Sequence, residues 1–175
     1  MLSVSPRWCV LIASGRKSVE IRKRKPSIDT PFKCYIYCTQ AKRDSEVLTP
    51  CNNIKDVRNE KVIGEFVCDW VRYFGFTPYN HGEYAGIDNI HDVSCVNSLE
   101  MYDYIGDGYG YGWHITDVVI YDQPKEIGEF KKWNRTEDEI ACAFVKQLYE
   151  PCEKCTECNL RKPPQSYCFV EELSE

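Results

Sequence analysis

The sequence has 175 residues, a net charge of −5, a hydrophobic share of 43% and an aromatic share of 13%. This composition excludes a disordered chain and is typical of one domain with a substantial core, and no stretch approaches the roughly 20 apolar residues that span a membrane. The first residues show no basic patch followed by an apolar core, so we expect a cytoplasmic protein without a signal peptide and without a membrane partner.

The positive charge of the chain is concentrated in one stretch. Residues 16–25 hold six basic side chains and one carboxylate, a local charge of +5, which leaves −10 for the rest of the chain. An acidic protein with one basic stripe attracts polyanions at that stripe alone. The alternative is a solvated face of a strand and loop, which is what most charge runs are.

The beginning of the chain predicts a strand, a helix and a second strand. Residues 1–4 predict a short strand, and residues 6–14 a helix with Ser5 as its N-cap and Gly15 at its left-handed end. Residues 18–22 alternate polar and apolar side chains, which is typical of a half-buried strand.

That second strand carries a candidate site. Val19 and Ile21 point to one face, and Glu20 and Arg22 to the other. Lys17 lies in the preceding turn, from which it reaches the polar face. The strand therefore brings a lysine, a carboxylate and a guanidinium together. The alternative is an exposed face on which Glu20 and Arg22 pair in water and contribute little.

The middle of the chain predicts strands at 33–39, 61–74 and 113–121, a helix at 98–105 that ends at Gly106, a surface loop at 40–60 and an irregular segment at 75–95. Gly64 lies inside a predicted strand, which indicates a bulge or a close approach of another backbone. The alternating glycines of residues 106–112 are expected to let the backbone approach a ligand closely.

The end of the chain predicts a turn of helix within 124–130, a helix at 137–149 and a closing strand at 165–171. The helix follows from a capping box that starts at Thr136 and from apolar residues at helical spacing. Strands scattered among short helices indicate an α+β fold. We expect residues 1–175 to form one domain, with a cysteine-rich segment at 152–168 before the closing strand.

The cysteine-rich segment is a second feature that indicates chemistry. Cys152, Cys155 and Cys158 form two overlapping Cys-x-x-Cys steps, and Cys168 follows ten residues later. Four thiolates at this spacing predict a structural zinc site, which would be closed and not catalytic. The alternatives are reduced thiols and a redox pair. No other cofactor is expected.

The order of several motifs resembles one known family. The pattern is Gly15-x-Lys17-x-x-Glu20-x-Arg22, followed in order by segments at 33–39, 62–66, 112–115 and 163–168. In this the chain is similar to the ASCH domains of the PUA-like superfamily. The resemblance covers nearly the whole chain and implies a small PUA-like β-barrel with short flanking helices.

The resemblance also implies a function. ASCH domains meet RNA or nucleotides in a cleft that bears this motif; some members hydrolyse acetylated cytidine, and at least one is a ribonuclease. In the acetylcytidine amidohydrolases the motif lysine, a threonine three residues later and a distant glutamate are catalytic. Lys17 matches the lysine, but Glu20 occupies the threonine position, so the chain departs from that catalytic pattern.

The sequence therefore supports three interpretations of one predicted cleft, whose other wall is residues 106–114. As a binding domain, it would hold single-stranded RNA or a nucleotide-like ligand. As a hydrolase, it would use Lys17 and Glu20 as catalytic residues. As a protein-interaction domain, it would use its tyrosine-rich loops. The residues predicted to contact the ligand are Lys17, Glu20, Arg22, Tyr111, Trp113 and His114.

Overall fold

The computed structural model of the chain describes residues 1–40, 60–77, 83–132 and 159–171. Its strands are β1 Leu2–Val4, β2 Val19–Arg22, β3 Phe32–Cys38, β4 Lys61–Cys68, β5 Val71–Thr77, β6 Glu83–Ala85, β7 Tyr109–His114 and β8 Thr116–Lys125. Its helices are α1 Pro6–Ala13, α2 Ile90–Ser94 and α3 Ser98–Ile105, and Ile127–Glu129 forms a 3-10 turn.

Two four-stranded sheets organise these elements. The first has the order β1-β3-β4-β8 and the second β2-β7-β5-β6. The predicted α+β class is therefore confirmed. The finer expectation of a PUA-like barrel is not, because the hydrogen-bonded strands of the described residues do not close into a barrel.

The chain passes from one sheet to the other at two bends between consecutive strands. Residues 61–74 were expected to form one strand, but β4 ends at Cys68 and β5 begins at Val71 in the other sheet. The same change of sheet occurs between β7 and β8, across Ile115. A strand that bends and continues in a second sheet covers both sides of one core, and the alternating pattern of a sequence does not reveal where that bend falls.

Two further expectations are corrected. The segment at 75–95, predicted to be irregular, contains the end of β5, β6 and α2, because Phe74, Tyr84 and Ile90 are buried in a common cluster. The segment at 165–171, predicted to be a strand, makes only isolated bridges, Leu2 with Tyr167 and Lys132 with Val170. The helix predicted at 137–149 lies outside the described residues. The loop predicted at 40–60 also lies outside them, apart from its first and last residues.

The glycines are explained by packing. A Cβ at Gly64 would lie 2.2 Å from the Val119 carbonyl oxygen, so the predicted close approach is to β8. A Cβ at Gly112 would lie 2.4 Å from the Ile87 side chain. The space beside Gly112, which was expected to admit a ligand, is therefore filled by the core.

The main core lies between β1, β3, β4, β7 and α1. It includes four cysteines, Cys9, Cys34, Cys38 and Cys68, all buried and free. Free cysteine in a core behaves as a small apolar side chain. Among the described residues, no helix is long and apolar enough to cross a membrane.

Candidate functional site

The motif strand β2 is buried on both faces. Its register with β7 places Glu20 beside Trp113 and Arg22 beside Tyr111, which confirms the predicted alternation. The alternative of an exposed charged face is wrong, because Lys17, Glu20 and Arg22 are only 2%, 6% and 7% exposed. Charged side chains are rarely buried to this extent unless they are paired.

The turn before β2 directs Lys17 inward. Gly15 adopts a left-handed φ of +71°, and the amides of Arg16 and Lys17 both donate to the Leu11 carbonyl, at 2.9 and 3.0 Å. This arrangement ends α1 and returns the chain toward the sheet. The turn is also tied to distant residues, because the Ser18 amide donates to the Val93 carbonyl at 2.9 Å.

The three charged side chains form one network. Lys17 Nζ lies 3.3 Å from Glu20 Oε2, and an Arg22 terminal nitrogen lies 2.9 Å from Glu20 Oε1. Lys17 also donates to the Ser94 carbonyl at 2.5 Å. The carboxylate between two cations offsets part of the cost of burying them.

Arg22 connects the network to the first strand. It donates to the Ser3 carbonyl at 2.6 Å and to the Ser166 hydroxyl at 3.3 Å. Its Nε is buried and has no hydrogen-bond partner in the part of the chain that the structure describes. A buried donor without an acceptor is uncommon and asks for an explanation.

Burial also acts on the pKa of Lys17. Removal from water lowers the pKa of this ammonium below its usual value, while Glu20 opposes the shift. A lysine whose pKa is lowered exchanges its proton more readily near neutral pH. The arrangement can therefore bind an acceptor and can also move a proton.

The network lines a cavity of about 300 Å³, which we call the charged cavity. Its other walls come from β1, α1 and the region of α3. The lining residues are Ser3, Val4, Ser5, Trp8, Lys17, Glu20, Ile21, Arg22, Val96, Glu100 and Tyr104.

Aromatic and charged side chains meet along this cavity. The Arg7 guanidinium and the Lys17 ammonium lie 4.4 and 4.8 Å from the centre of the Trp8 ring. Arg7 also pairs with Glu100, whose amide donates to the N-cap Asn97 in a capping box. The Arg7–Glu100 pair thus ties the start of α1 to the start of α3 at the cavity wall.

The remaining predicted contact residues lie elsewhere. Trp113 is 1% exposed and packs edge-on against Phe32 in the core. Tyr111 is half-buried and does not line the charged cavity. His114 lies on the opposite face from Glu20, where it bonds to Asp69 Oδ1 at 2.6 Å and stacks on Trp70. Residues 106–114 therefore do not form the other wall of this cavity.

A second, larger cavity of about 480 Å³ lies beside Trp113; we call it the apolar cavity. Its lining includes Pro26, Ile28, Phe32, Cys34, Trp113, Tyr167, Cys168 and Val170.

Cys168 is the only predicted zinc ligand within the described residues, since Cys152, Cys155 and Cys158 lie outside them. No group of three metal-ligating side chains occurs in the described part of the chain, so the zinc site stays a prediction.

The basic stripe divides into two parts. Lys17 and Arg22 are buried in the charged cavity, whereas Arg16, Lys23, Arg24 and Lys25 are exposed. These four residues therefore form an exposed basic face. The lining residues that sequence reasoning missed as site residues are Ser3, Val4, Ser5, Trp8, Ile21, Val96, Glu100 and Tyr104. Ser5 was predicted only as a cap and Ile21 only as the apolar face of the strand, and the others gave no distinguishing signal.

Comparisons with known proteins concern the fold. No family model matches the chain, and no curated protein matches it. Among solved structures, the ASCH protein of Zymomonas mobilis is 19% identical, with a TM-score of 0.50 over 72% of this chain and 71% of that chain. A tyrosine-to-phenylalanine mutant of ASCH from the same organism is 17% identical, with a TM-score of 0.50 over 72% and 73% of the two chains. At these identities the likeness extends to the fold alone.

Proposed function

We propose that this protein, whose fold is that of the ASCH domains, binds a nucleoside or a single nucleotide of RNA in the charged cavity. The observation that carries the proposal is the burial of Lys17, Glu20 and Arg22 at the wall of that cavity. Apolar residues would fill such a place as stably as an ion network does. Charges kept at a cavity wall therefore favour a binding role.

The size of the charged cavity limits the ligand. A volume of about 300 Å³ is at the lower end of small-molecule sites. It suits one nucleoside-sized unit and is too small for a base pair. An RNA ligand would therefore insert one unpaired nucleotide and leave its neighbours at the exposed Lys23 to Lys25 run, where phosphates meet positive charge.

The network provides both donors and acceptors. Lys17 and Arg22 would donate to oxygens of the ligand, while Glu20 retains lone pairs that accept from a base amino group. Hydrogen bonds to charged groups contribute about 1.5–3 kcal/mol each. Loss of one such contact is therefore measurable as a change in affinity.

Direct titration of nucleosides and short single-stranded RNAs tests the proposal. We expect Lys17→Ala to weaken binding about tenfold or more. The matched control is Lys25→Ala, which removes an exposed lysine of the same stripe and should change nucleoside affinity less than twofold. Equal affinities in the two variants, or no binding by any nucleoside or RNA, would contradict the proposal and favour a protein partner.

Hydrolysis of the bound ligand is the second candidate function. It is favoured by the contact of 3.3 Å between Lys17 and Glu20 and by the lowered pKa of Lys17, which together suit an acid–base pair. In this function Lys17, in its deprotonated form, is the base that takes a proton, and Glu20 orients the Lys17 side chain. The chain still has Glu20 where the acetylcytidine amidohydrolases have threonine.

Mass spectrometry separates the two candidates. The folded protein is incubated with short RNAs and acetylated nucleosides, and the molecular mass of every substrate is measured afterwards. A product that wild type forms and Lys17→Ala does not would establish an enzyme. Substrates that are recovered intact but retained by the protein would support binding without hydrolysis.

A further inference from the structure

We propose that three tyrosines at one end of the second sheet, Tyr73, Tyr109 and Tyr111, form a stacking platform for the bases of single-stranded RNA. The platform lies outside the charged cavity and would hold the nucleotides next to the one that enters it. This inference rests on the proposed function, and it adds that the ligand is an oligonucleotide rather than a free nucleoside.

The three tyrosines form one continuous aromatic surface. Tyr73 on β5 is the register partner of Tyr111 on β7, and Tyr109 lies two residues earlier on β7, on the same side of the strand. The rings of Tyr73 and Tyr109 stack at 5.5 Å between centroids, and both pack edge-on against Tyr111, at 6.0 and 6.3 Å. Gly75, the partner of Tyr109, leaves space for the Tyr73 ring, because a Cβ there would lie 3.2 Å from the Tyr73 hydroxyl.

The platform is exposed, although the same side of β7 is buried further along. Tyr73 and Tyr109 are 57% and 56% exposed, and Tyr111 is half-buried. Trp113, two residues after Tyr111, is only 1% exposed. Large aromatic side chains that contact one another at a surface are typical of an interaction site.

The charge beside the platform favours a nucleic acid as the partner. The register partner of Tyr111 is Arg22, and the exposed run Lys23–Lys25 follows it directly without a carboxylate. The whole chain has a net charge of −5, so this basic run is a local exception. Cations that meet phosphates, next to aromatic rings that meet bases, are the two elements of single-stranded nucleic-acid binding.

Tyr104 connects the platform to the charged cavity. It lines that cavity and is 41% exposed, and the Lys23 ammonium lies 5.0 Å from the centre of its ring. A short turn after α3 leads from Tyr104 to Tyr109, where β7 begins. A strand of RNA with one nucleotide in the cavity would therefore pass its phosphates by Lys23 and place its next bases on the tyrosines.

The experiment compares RNAs that have the same phosphates but different numbers of bases. Calorimetry measures the affinity of cytidine, of hexacytidylate, and of a set of hexamers that are abasic except for one cytosine, at a different position in each. Every hexamer can fill the cavity and reach the basic run, but only hexacytidylate has bases left to stack. We expect hexacytidylate to bind wild type about tenfold more tightly than the best abasic hexamer.

Variants of Tyr109 assign this ratio to stacking. Tyr109→Ala should reduce the ratio at least about threefold, whereas Tyr109→Phe, which keeps the ring, should leave it within about twofold. Cytidine affinity should be unchanged in both variants, because Tyr109 does not line the charged cavity. The matched control is Tyr102→Ala, which removes a tyrosine that is 51% exposed on α3 and should leave the ratio unchanged. If Tyr109→Ala does not fold, Tyr73→Ala tests the same platform.

The outcomes separate this inference from the proposed function. A ratio near one in wild type, with cytidine still bound, overturns the platform and leaves the proposed function standing. Hexacytidylate binding that Tyr109→Ala weakens, without cytidine binding and without an effect of Lys17→Ala, supports the platform and refutes the cavity function. A ratio that survives in Tyr109→Ala, or that Tyr109→Phe lowers equally, excludes stacking on this ring and overturns the platform. Absence of binding by every hexamer overturns it as well and favours a protein partner.

Discussion

The two cavities lie against neighbouring strands of the second sheet and yet have opposite character. Glu20 and Trp113 are direct register partners on β2 and β7, but Glu20 faces the charged cavity and Trp113 lines the apolar one. The residues that cover the sheet decide the difference. The start of α1 and the region of α3 bring polar groups to Glu20, whereas residues 26–35 and 167–171 bring apolar side chains to Trp113.

This comparison teaches that position in a strand does not define a site. Two adjacent side chains share a face of the sheet, but the local dielectric and the available partners come from other elements. Charge changes should therefore have their largest effects in the charged cavity, and volume changes in the apolar one.

The largest effect is expected for Glu20→Gln. The substitution leaves Lys17 and Arg22 buried and facing each other without the carboxylate between them. Breaking a buried ion network in this way costs about 3–5 kcal/mol. Urea unfolding measures the loss. The control is Lys61→Gln, in the more exposed pair with Glu126, which should cost no more than about 1 kcal/mol; comparable losses in both variants would refute the contrast.

A smaller loss is expected for Trp113→Phe. The variant removes part of a buried ring that packs on Phe32, which costs about 1–3 kcal/mol in packing. It also removes the indole Nε1, a buried donor without a partner among the described residues, so the loss should fall toward the lower end. Because Trp113 does not line the charged cavity, nucleoside affinity should stay within twofold. A large loss of affinity at unchanged stability would instead support the ligand contact predicted from sequence.

Raising the pH should act on the two cavities in opposite directions. Burial lowers the pKa of Lys17 below its usual 10.5. At pH values between the lowered pKa of the folded chain and the usual pKa of the unfolded chain, the unfolded chain binds more protons at Lys17 than the folded chain does. The contribution of Lys17 to stability therefore rises with pH in this range. Burial raises the pKa of Cys34 above its usual 9.0, so the folded chain keeps the proton longer and stability falls as the pH rises above 9.

The matched variants are Cys34→Ala and Lys17→Met. In urea unfolding at pH 8, 9 and 10, Cys34→Ala should flatten the alkaline loss of stability and Lys17→Met should steepen it. Each change is limited to about 1.4 kcal/mol per pH unit. Curves that run parallel to wild type would show that neither group titrates differently on unfolding.

The smallest effect is expected for His114→Ala. His114 pairs with Asp69 at a site where the two side chains are 28% and 44% exposed, and exposed pairs contribute less than about 1 kcal/mol. The residue lies outside both cavities, so ligand affinity and any turnover should be unchanged. A clear loss of turnover with retained binding would instead make His114 a candidate catalytic residue.

Local patterns predicted much of the chain correctly. The short helix, the left-handed Gly15 and the alternation of β2 follow from residues close together in sequence. The helix Ser98–Ile105 was predicted with its end at Gly106 for the same reason. The change of sheet between β4 and β5 was missed, because Asp69 and Trp70 carry no signal of a bend in an otherwise regular strand pattern.

The sequence by itself determined that Lys17, Glu20 and Arg22 would project to one side of the chain, because backbone alternation and a glycine turn are local properties. Only the tertiary structure decided that this side is buried, that Ser5 and Tyr104 complete its cavity, and that Trp113 and His114 are excluded from it. Those outcomes depend on contacts with the region of α3 and with residues 163–168, which are distant in sequence. Desolvation and pairing of charges are set by such contacts, so no pattern within β2 reveals them.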